Sequence, residues 1–401
     1  METELKDKFW AIGGGKGGVG KSIATIMLGT TLARRGRKTI LVDADLGGSN
    51  LHTLLGIRYP EKTLADFLQK RYENIEDIMI DTPIENLKLI SGADDILGLA
   101  NPKDTQKTKI LNHLSKLDAD FIMLDLGAGT SFTTMDFFLY APNKVVVLTP
   151  QITSIQNAYG FIKSSLYRKL MKTFSKDPEC LELIKQDYDT DESVKIDSIN
   201  KLKEAFKGMD KAYQEKLNTC LEEMKIGILV NMVRDDKEAN VGRIVQTVAQ
   251  QYLSLNLDTL GYINHDAILS KSINKMADFL TKSNTSTSGM CFYDIGNRLI
   301  EAFNERRGFS RITVNVGMKF QFPGDIRFLE GFCKNLSHSG IQFETQEQLS
   351  TGQTLEIIID SGTYQNKPLR ATINIIRVDS TENGKQIVSG KITNYRLEHI
   401  A

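Results

Sequence analysis

From Phe9 to Asn264 the chain alternates short apolar runs with longer segments of mixed polarity. The runs are Phe9-Trp-Ala-Ile12, Lys38 to Asp45, Asn86 to Ser91, Asp120 to Asp125, Lys144 to Pro150, Ile226 to Asn231 and Asp258 to Asn264. They are rich in Val, Ile and Leu and continuous rather than alternating, which predicts strands buried on both faces. Ser22 to Arg35, stopping at Gly36, Lys103 to Leu117, and the stretch that opens at Gln151 read as helices between them. Such alternation predicts an α/β fold, a mostly parallel sheet of about seven strands with helices on both faces. Residues 164–223 are charged, helical in composition and free of strand patterns, so they are expected to lie over the sheet as a helical insertion.

Thr281 to Gly289 is a polar loop or linker. Beyond it, Phe292, Ile295, Leu299, Ile300 and Phe303 recur by threes and fours opposite Asp294, Arg298, Glu301 and Glu305, one amphipathic helix. Acidic residues on its polar face predict packing on its own sheet, since a membrane-surface helix would carry Lys and Arg there. From Arg306 the period changes to two, with runs at Ile312 to Phe322, Gly340 to Glu344, Thr354 to Asp360, Leu369 to Val378 and Lys385 to Leu397, and turn signals at Pro323-Gly324 and Asn383-Gly384. Short alternating strands of this kind predict a small all-β barrel. A length of 401 residues agrees with two domains, expected at 1–305 and 306–401.

Composition removes several function classes. Fifty basic residues balance fifty acidic ones, which argues against DNA as a partner. Cys180, Cys220, Cys291 and Cys333 form no C-x-x-C pair, and His52, His113, His265, His338 and His399 fall in no ligand spacing, so a structural zinc site is not expected. Asp187-x-Asp-x-Asp191 opens like a calcium loop, but Glu192 stands where glycine is needed and Ser198 where a bidentate glutamate is needed. No secretory leader or long apolar run is visible, so a cytoplasmic chain with at most peripheral membrane contact is expected.

The chemistry concentrates at Gly15-Lys-Gly-Gly-Val-Gly-Lys-Ser22, which satisfies the phosphate-loop pattern G-x-x-x-x-G-K-[ST] between a strand and a helix. Backbone N–H groups of Gly15, Gly17, Gly18, Val19, Gly20, Ser22 and Ile23 are placed to cradle the phosphates of a nucleotide. Lys21 reaches the β/γ oxygens and Ser22 can hold Mg2+. Asp43 and Asp45 end the next strand and Asp125 ends another, at the edge where an open parallel sheet presents its active groups. Carboxylates there can hold the ion's hydration shell or orient an attacking water.

Lys16 gives the loop the form K-G-G-x-G-K-[ST], which resembles the deviant loop of the MinD/ParA family of dimerising P-loop ATPases. The resemblance implies that Lys16 reaches across an ATP-dependent homodimer to the partner's nucleotide. It makes Lys16, Lys21 and Asp45 the catalytic residues, and Ser22, Asp43 and Asp125 the magnesium residues. Asp125 with Gly127 and Gly129 looks like a Walker B strand and its switch. Asn231 stands where related ATPases place an asparagine against the adenine edge. Asp43-Ala-Asp-Leu-Gly-Gly-Ser-Asn-Leu-His52 is most similar to the FlhG branch, regulators of flagellar number and placement, which implies flagellar or polar assembly partners and recruitment to the cell pole or the inner face of the membrane.

In the β region, Arg306 and Arg307-Gly-Phe-Ser-Arg311 are followed by Asn335-Leu-Ser-His-Ser-Gly340. The pair resembles the PilZ domain, a receptor for cyclic di-GMP. Guanidinium groups of Arg306, Arg307 and Arg311 can fork onto phosphodiesters and stack on guanine, Asn335 and Ser337 can bond base edges, and Gly340 leaves room for the ligand. Together the two resemblances imply a regulatory ATPase that ATP closes into a dimer, hydrolysis opens, and cyclic di-GMP biases. The alternatives are a ParA-like positioning ATPase for chromosome, plasmid or division machinery, and a scaffold that binds ATP without hydrolysing it.

Overall fold

In the computed structural model of the protein, the strands of the first unit are β1 (Phe9–Gly13), β2 (Thr39–Asp43), β3 (Ile80–Asp81), β4 (Leu87–Ile90), β5 (Phe121–Asp125), β6 (Asn143–Leu148), β7 (Ile226–Val233) and β8 (Asp258–Asn264). The described residues are 7–46, 48–92, 102–189, 198–272, 280, 286–307, 312–325, 327–336, 340–359, 369–380 and 385–397. By contact density the chain divides into Met1–Ile300 and Glu301–Ala401. The eight strands form one sheet in the order β3-β4-β2-β5-β1-β6-β7-β8. Every pairing is parallel except that of β3 with β4. Seven strands match the apolar runs; the eighth, β3, has two residues, too few to leave a period in the sequence.

The helices are α1 (Lys21–Arg34), α2 (Leu51–Leu54), α3 (Leu64–Leu68), α4 (Asp104–Leu114), α5 (Phe132–Tyr140), α6 (Ile152–Thr173), α7 (Pro178–Asp189), α8 (Ser198–Lys207), α9 (Lys211–Glu222), α10 (Asp236–Ala239), α11 (Val241–Leu253), α12 (Ala267–Ser272) and α13 (Thr287–Arg307). Strands β1, β2, β5 and β6 are buried along their whole length, as continuous apolar runs require when both faces are covered. One core joins Phe9, Ile122, Leu124, Val146 and Phe161 to Phe174, Ile184, Ile199 and Phe206, so α6 to α8 share the interior of the sheet domain. Within that layer Asp136 on α5 is gripped by three cations, Lys107 of α4 and Arg168 and Lys172 of α6, with Arg168 Nε at 3.0 Å and Lys172 Nζ at 2.5 Å from Oδ1.

Helix α13 buries Phe292, Ile295 and Leu299 of the apolar stripe read from the sequence, Ile300 is half-buried, and the Phe303 side chain lies outside the described residues. It lies against α1: a Cβ at Gly296 would press on the Thr31 side chain, the Arg35 guanidinium stacks 4.4 Å from the centre of the Tyr293 ring, and Arg35 donates to Asn297 Oδ1 at 2.8 Å. Phe292, Ile295 and Leu299 are therefore covered by protein, and among the described residues no helix is long and apolar enough to cross a membrane.

The second unit is a closed antiparallel barrel of β9 (Ile312–Gln321), β10 (Leu329–Leu336), β11 (Gly340–Thr345), β12 (Thr354–Ile359), β13 (Leu369–Ser380) and β14 (Gln386–Leu397), in the order β10-β11-β14-β13-β12-β9. Phe320, Phe343, Leu355, Ile357, Ile373 and Val388 fill it. Strand β10 is absent from the sequence reading for a physical reason: its aromatic Phe332 faces out, 40% exposed, while the small Cys333 faces in.

The cations around Asp136 generate a test. Burial alone would raise this carboxyl, but hydrogen bonds from Arg168, Lys107 and Lys172 outweigh burial and hold it down to about 2. A depressed acid stabilises the fold above its unfolded value near 3.9 and loses that contribution as pH falls toward the folded value. Asp136→Asn should cost about 2 kcal/mol or more at pH 7, measured by urea unfolding, and the gap from wild type should shrink between pH 4 and pH 2. A gap that stays constant with pH would show that the ion cluster is not what the substitution disturbs.

Candidate functional site

Strand β1 sits between β5 and β6, so the loop that leaves it at Gly13 rises at the centre of the sheet's C-terminal edge. The loop ends at Gly20, whose φ of 91° is left-handed backbone that a glycine adopts freely. Two close approaches fix its path: a Cβ on Gly15 would collide with the Asn157 carbonyl oxygen of α6, and one on Gly20 with the Asn231 amide. Around Gly17 and Gly18, by contrast, a Cβ would meet open space. Helix α1 then begins with no capping side chain on Gly20 and no acidic residue in its first turn. An uncapped helix start with its N–H groups and partial positive charge aimed into an open glycine loop is a cradle for an anion.

Lys21 stands at that start, 8% exposed, its Nζ 3.4 Å from the Lys16 carbonyl oxygen. Burial lowers its pKa, and the charges of Asp125 and Asp45 oppose the fall. Lys16 itself is exposed.

The facing carboxylates are Asp43 and Asp125, register partners on β2 and β5. Burial first, and the Asp43 charge second, push Asp125 up to about 7, although Ser22 and Thr25 both hydrogen-bond it and Lys21 attracts it. Thr25 Oγ1 lies 3.0 Å from Asp125 Oδ1. Asp43 is also raised by burial, and its oxygens are already engaged: Oδ2 accepts from Ser49 Oγ at 2.7 Å, Asn50 N–H at 2.9 Å and Leu51 N–H at 3.0 Å, and Oδ1 from Asp45 N–H at 3.2 Å. Asp43, expected among the magnesium residues, thus anchors the loop that follows it and adds charge beside Asp125. That anchored loop lays the Asp45 carboxylate against Gly127, whose added Cβ would lie 3.0 Å from Asp45 Oδ1. Ser22 and Asp125 form a joined pair of hard oxygen donors short of positive charge, with Asp43 beside them, a set that fits a magnesium ion.

Asn231, expected at an adenine edge, lies near the end of β7 beside the glycine loop. It is 6% exposed, its Nδ2 donates to the Val19 carbonyl at 2.9 Å, and its Oδ1 accepts from Met232 N–H at 2.9 Å. The side chain is a strut under the glycine loop. Thr25 and Asn231 in this role escape sequence reading, since neither contact lies within a local motif; for Thr25 the only signal is a hydroxyl three residues after Ser22 on the same helix face.

Of the barrel residues, Arg306 and Arg307 form the last turn of α13, Asn335 lies on β10, and Gly340 opens β11. Arg311 and Ser337 lie outside the described residues. The β10 register shifts between Cys333 and Asn335 against both β9 and β11.

Comparison with known proteins agrees with this geometry. The family described as CobQ/CobB/MinD/ParA nucleotide binding domain matches residues 10–279, and the PilZ domain matches residues 305–399. The antiactivator FleN of Pseudomonas aeruginosa is 32% identical over 155 residues, 38% of this chain and 54% of FleN. The flagellum site-determining protein YlxH of Helicobacter pylori is 35% identical over 172 residues, 41% of this chain and 55% of YlxH. The match thus spans about half the length of these curated relatives. The crystal structure of the cell division ATPase MinD from Pyrococcus furiosus superposes with a TM-score of 0.50 at 22% identity, over 74% of this chain and 99% of that one, a likeness of fold. The chain belongs to the CobQ/CobB/MinD/ParA nucleotide-binding family and continues into a PilZ domain.

Proposed function

We propose that this chain binds and hydrolyses ATP in an ATP-dependent homodimer, and that cyclic di-GMP held by its barrel domain biases that cycle in the control of flagellar number or placement. The observation that carries the reading is the buried Lys21 ammonium, set between an open, uncapped glycine loop and the carboxylates of Asp125 and Asp45. Loop N–H groups from Gly15 to Ile23 hold the phosphates and Lys21 faces the β/γ oxygens. Ser22 and Asp125 hold magnesium, which supplies the charge that neutralises the phosphate oxygens. Asp45, steadied by the Asp43 loop and lying on Gly127, orients the attacking water. Asn231 acts through the Val19 carbonyl by keeping the loop in shape. Lys16, exposed on the loop, is free to reach a nucleotide in a second copy of the chain.

The flagellar part of the reading is supported by the similarity to YlxH, whose name makes it a flagellum site-determining protein. The cyclic di-GMP part is supported by the PilZ match over residues that include Arg306, Arg307, Arg311, Asn335, Ser337 and Gly340.

Lys21→Ala should abolish ATP binding measured by calorimetry, because the phosphates lose their one buried counter-charge in the loop. Lys16→Ala should keep that binding and lose turnover and dimer closure; identical behaviour of the two variants would remove the division of labour between the lysines.

Asp45→Ala should bind ATP and accumulate as a dimer, since the water-orienting group is lost while the phosphate cradle stays. Light scattering that finds only monomer at saturating ATP would reject this role. Arg307→Ala should weaken cyclic di-GMP at least about tenfold, the scale of a charge-assisted hydrogen bond, with ATP affinity unchanged. Equal cyclic di-GMP affinity in variant and wild type would refute the barrel assignment.

A further inference from the structure

Thr25 lies one turn into α1, three residues after Ser22 and four after Lys21, on the helix face turned to β5. It is fully buried among Ala24, Ile26, Met27 and Leu28, all buried themselves. Packing alone would place an apolar side chain there. A threonine inside a helix ordinarily returns its hydroxyl to the carbonyl four residues back, and Thr25 Oγ1 is indeed 3.0 Å from the Lys21 carbonyl oxygen. It is also 3.0 Å from Asp125 Oδ1, on a different element a hundred residues away. A hydroxyl has one hydrogen to give but can also accept, so Thr25 can bond the Lys21 carbonyl and the Asp125 carboxyl together.

We propose that Thr25 is a positioning residue for the Asp125 carboxylate. Holding Oδ1 fixes the rotation of the carboxylate, so that Ser22 and Asp125 offer a preformed pair of oxygen donors to the magnesium ion that accompanies the nucleotide. On this reading Thr25 acts through Asp125 alone; with Ser22 it holds the carboxylate in one orientation and spares the site a reorientation on binding. The inference rests on reading the glycine loop as a magnesium-nucleotide site, and its test separates the two.

The full chain and its Thr25→Val and Thr25→Ser variants are titrated with a fluorescent ATP analogue, first in EDTA and then at rising magnesium, with thermal unfolding recorded for each. Thr25→Val should match wild type in EDTA yet need about tenfold more magnesium to reach half of the tight-binding signal, the scale of one hydrogen bond to a charged group. Thr25→Ser, which keeps the hydroxyl, should follow wild type. Should the valine variant not fold, Thr25→Ala gives the same comparison. A wild-type magnesium midpoint in the valine or alanine variant overturns the proposal. So does a loss of affinity that is equal with and without magnesium and tracks a lower unfolding temperature, which is what a purely structural threonine would give. If wild type binds the analogue equally in EDTA and magnesium, or not at all, the magnesium-nucleotide reading itself falls, and the proposal with it.

Discussion

Negative charge taken out of water governs the active edge of this protein. Asp43 and Asp125 are neighbours across β2 and β5, and each is nearly without solvent. Two such carboxylates cannot both ionise cheaply unless donors or cations answer them. Asp43 is answered within its own loop by three N–H groups and the Ser49 hydroxyl. Asp125 has two hydroxyls and the distant Lys21, and stays pushed up to about 7. The uncapped start of α1 and the buried ammonium of Lys21 then gather positive potential at the same edge. A phosphate chain with its magnesium ion is the kind of ligand that such a divided site completes, since it brings both signs at once.

Much of this is legible in the sequence because the constraints are local. Strands buried on both faces leave unbroken Val, Ile and Leu runs, and a loop that wraps phosphate needs glycine at fixed spacings. The stripe Phe292, Ile295 and Leu299 was legible for the same reason, with the acids on its other face arguing against a membrane. What stayed hidden depends on partners far along the chain. The bond from Asn231 to the Val19 carbonyl, 212 residues away, leaves no mark in the sequence. The binding of Asp43 to residues 49–51 follows from the way the loop doubles back, which no spacing rule encodes. Strand β10 escaped because barrel strands can place the small residue inside and the aromatic outside, which inverts the usual pattern.

The two parts of the chain solve their packing differently. The sheet domain has one continuous interior that runs from the strands into α6, α7 and α8, so its helical layer is part of the core and not an accessory resting on it. The barrel keeps a core of its own, centred on Phe320 and Phe343 at 5.4 Å between ring centres. A change to either ring is confined to the barrel's interior, whereas a change to Phe174 or Phe206 reaches the same interior that supports β1 and β6.

The contact between Gly15 and the Asn157 carbonyl gives α6 a mechanical meaning. This helix of 22 residues is about 33 Å long at the usual rise per residue, and it touches the glycine loop near one end. Toward its other end Arg168 and Lys172 are clamped onto Asp136. One continuous helix thus runs from beside the phosphate cradle to the ion cluster around Asp136.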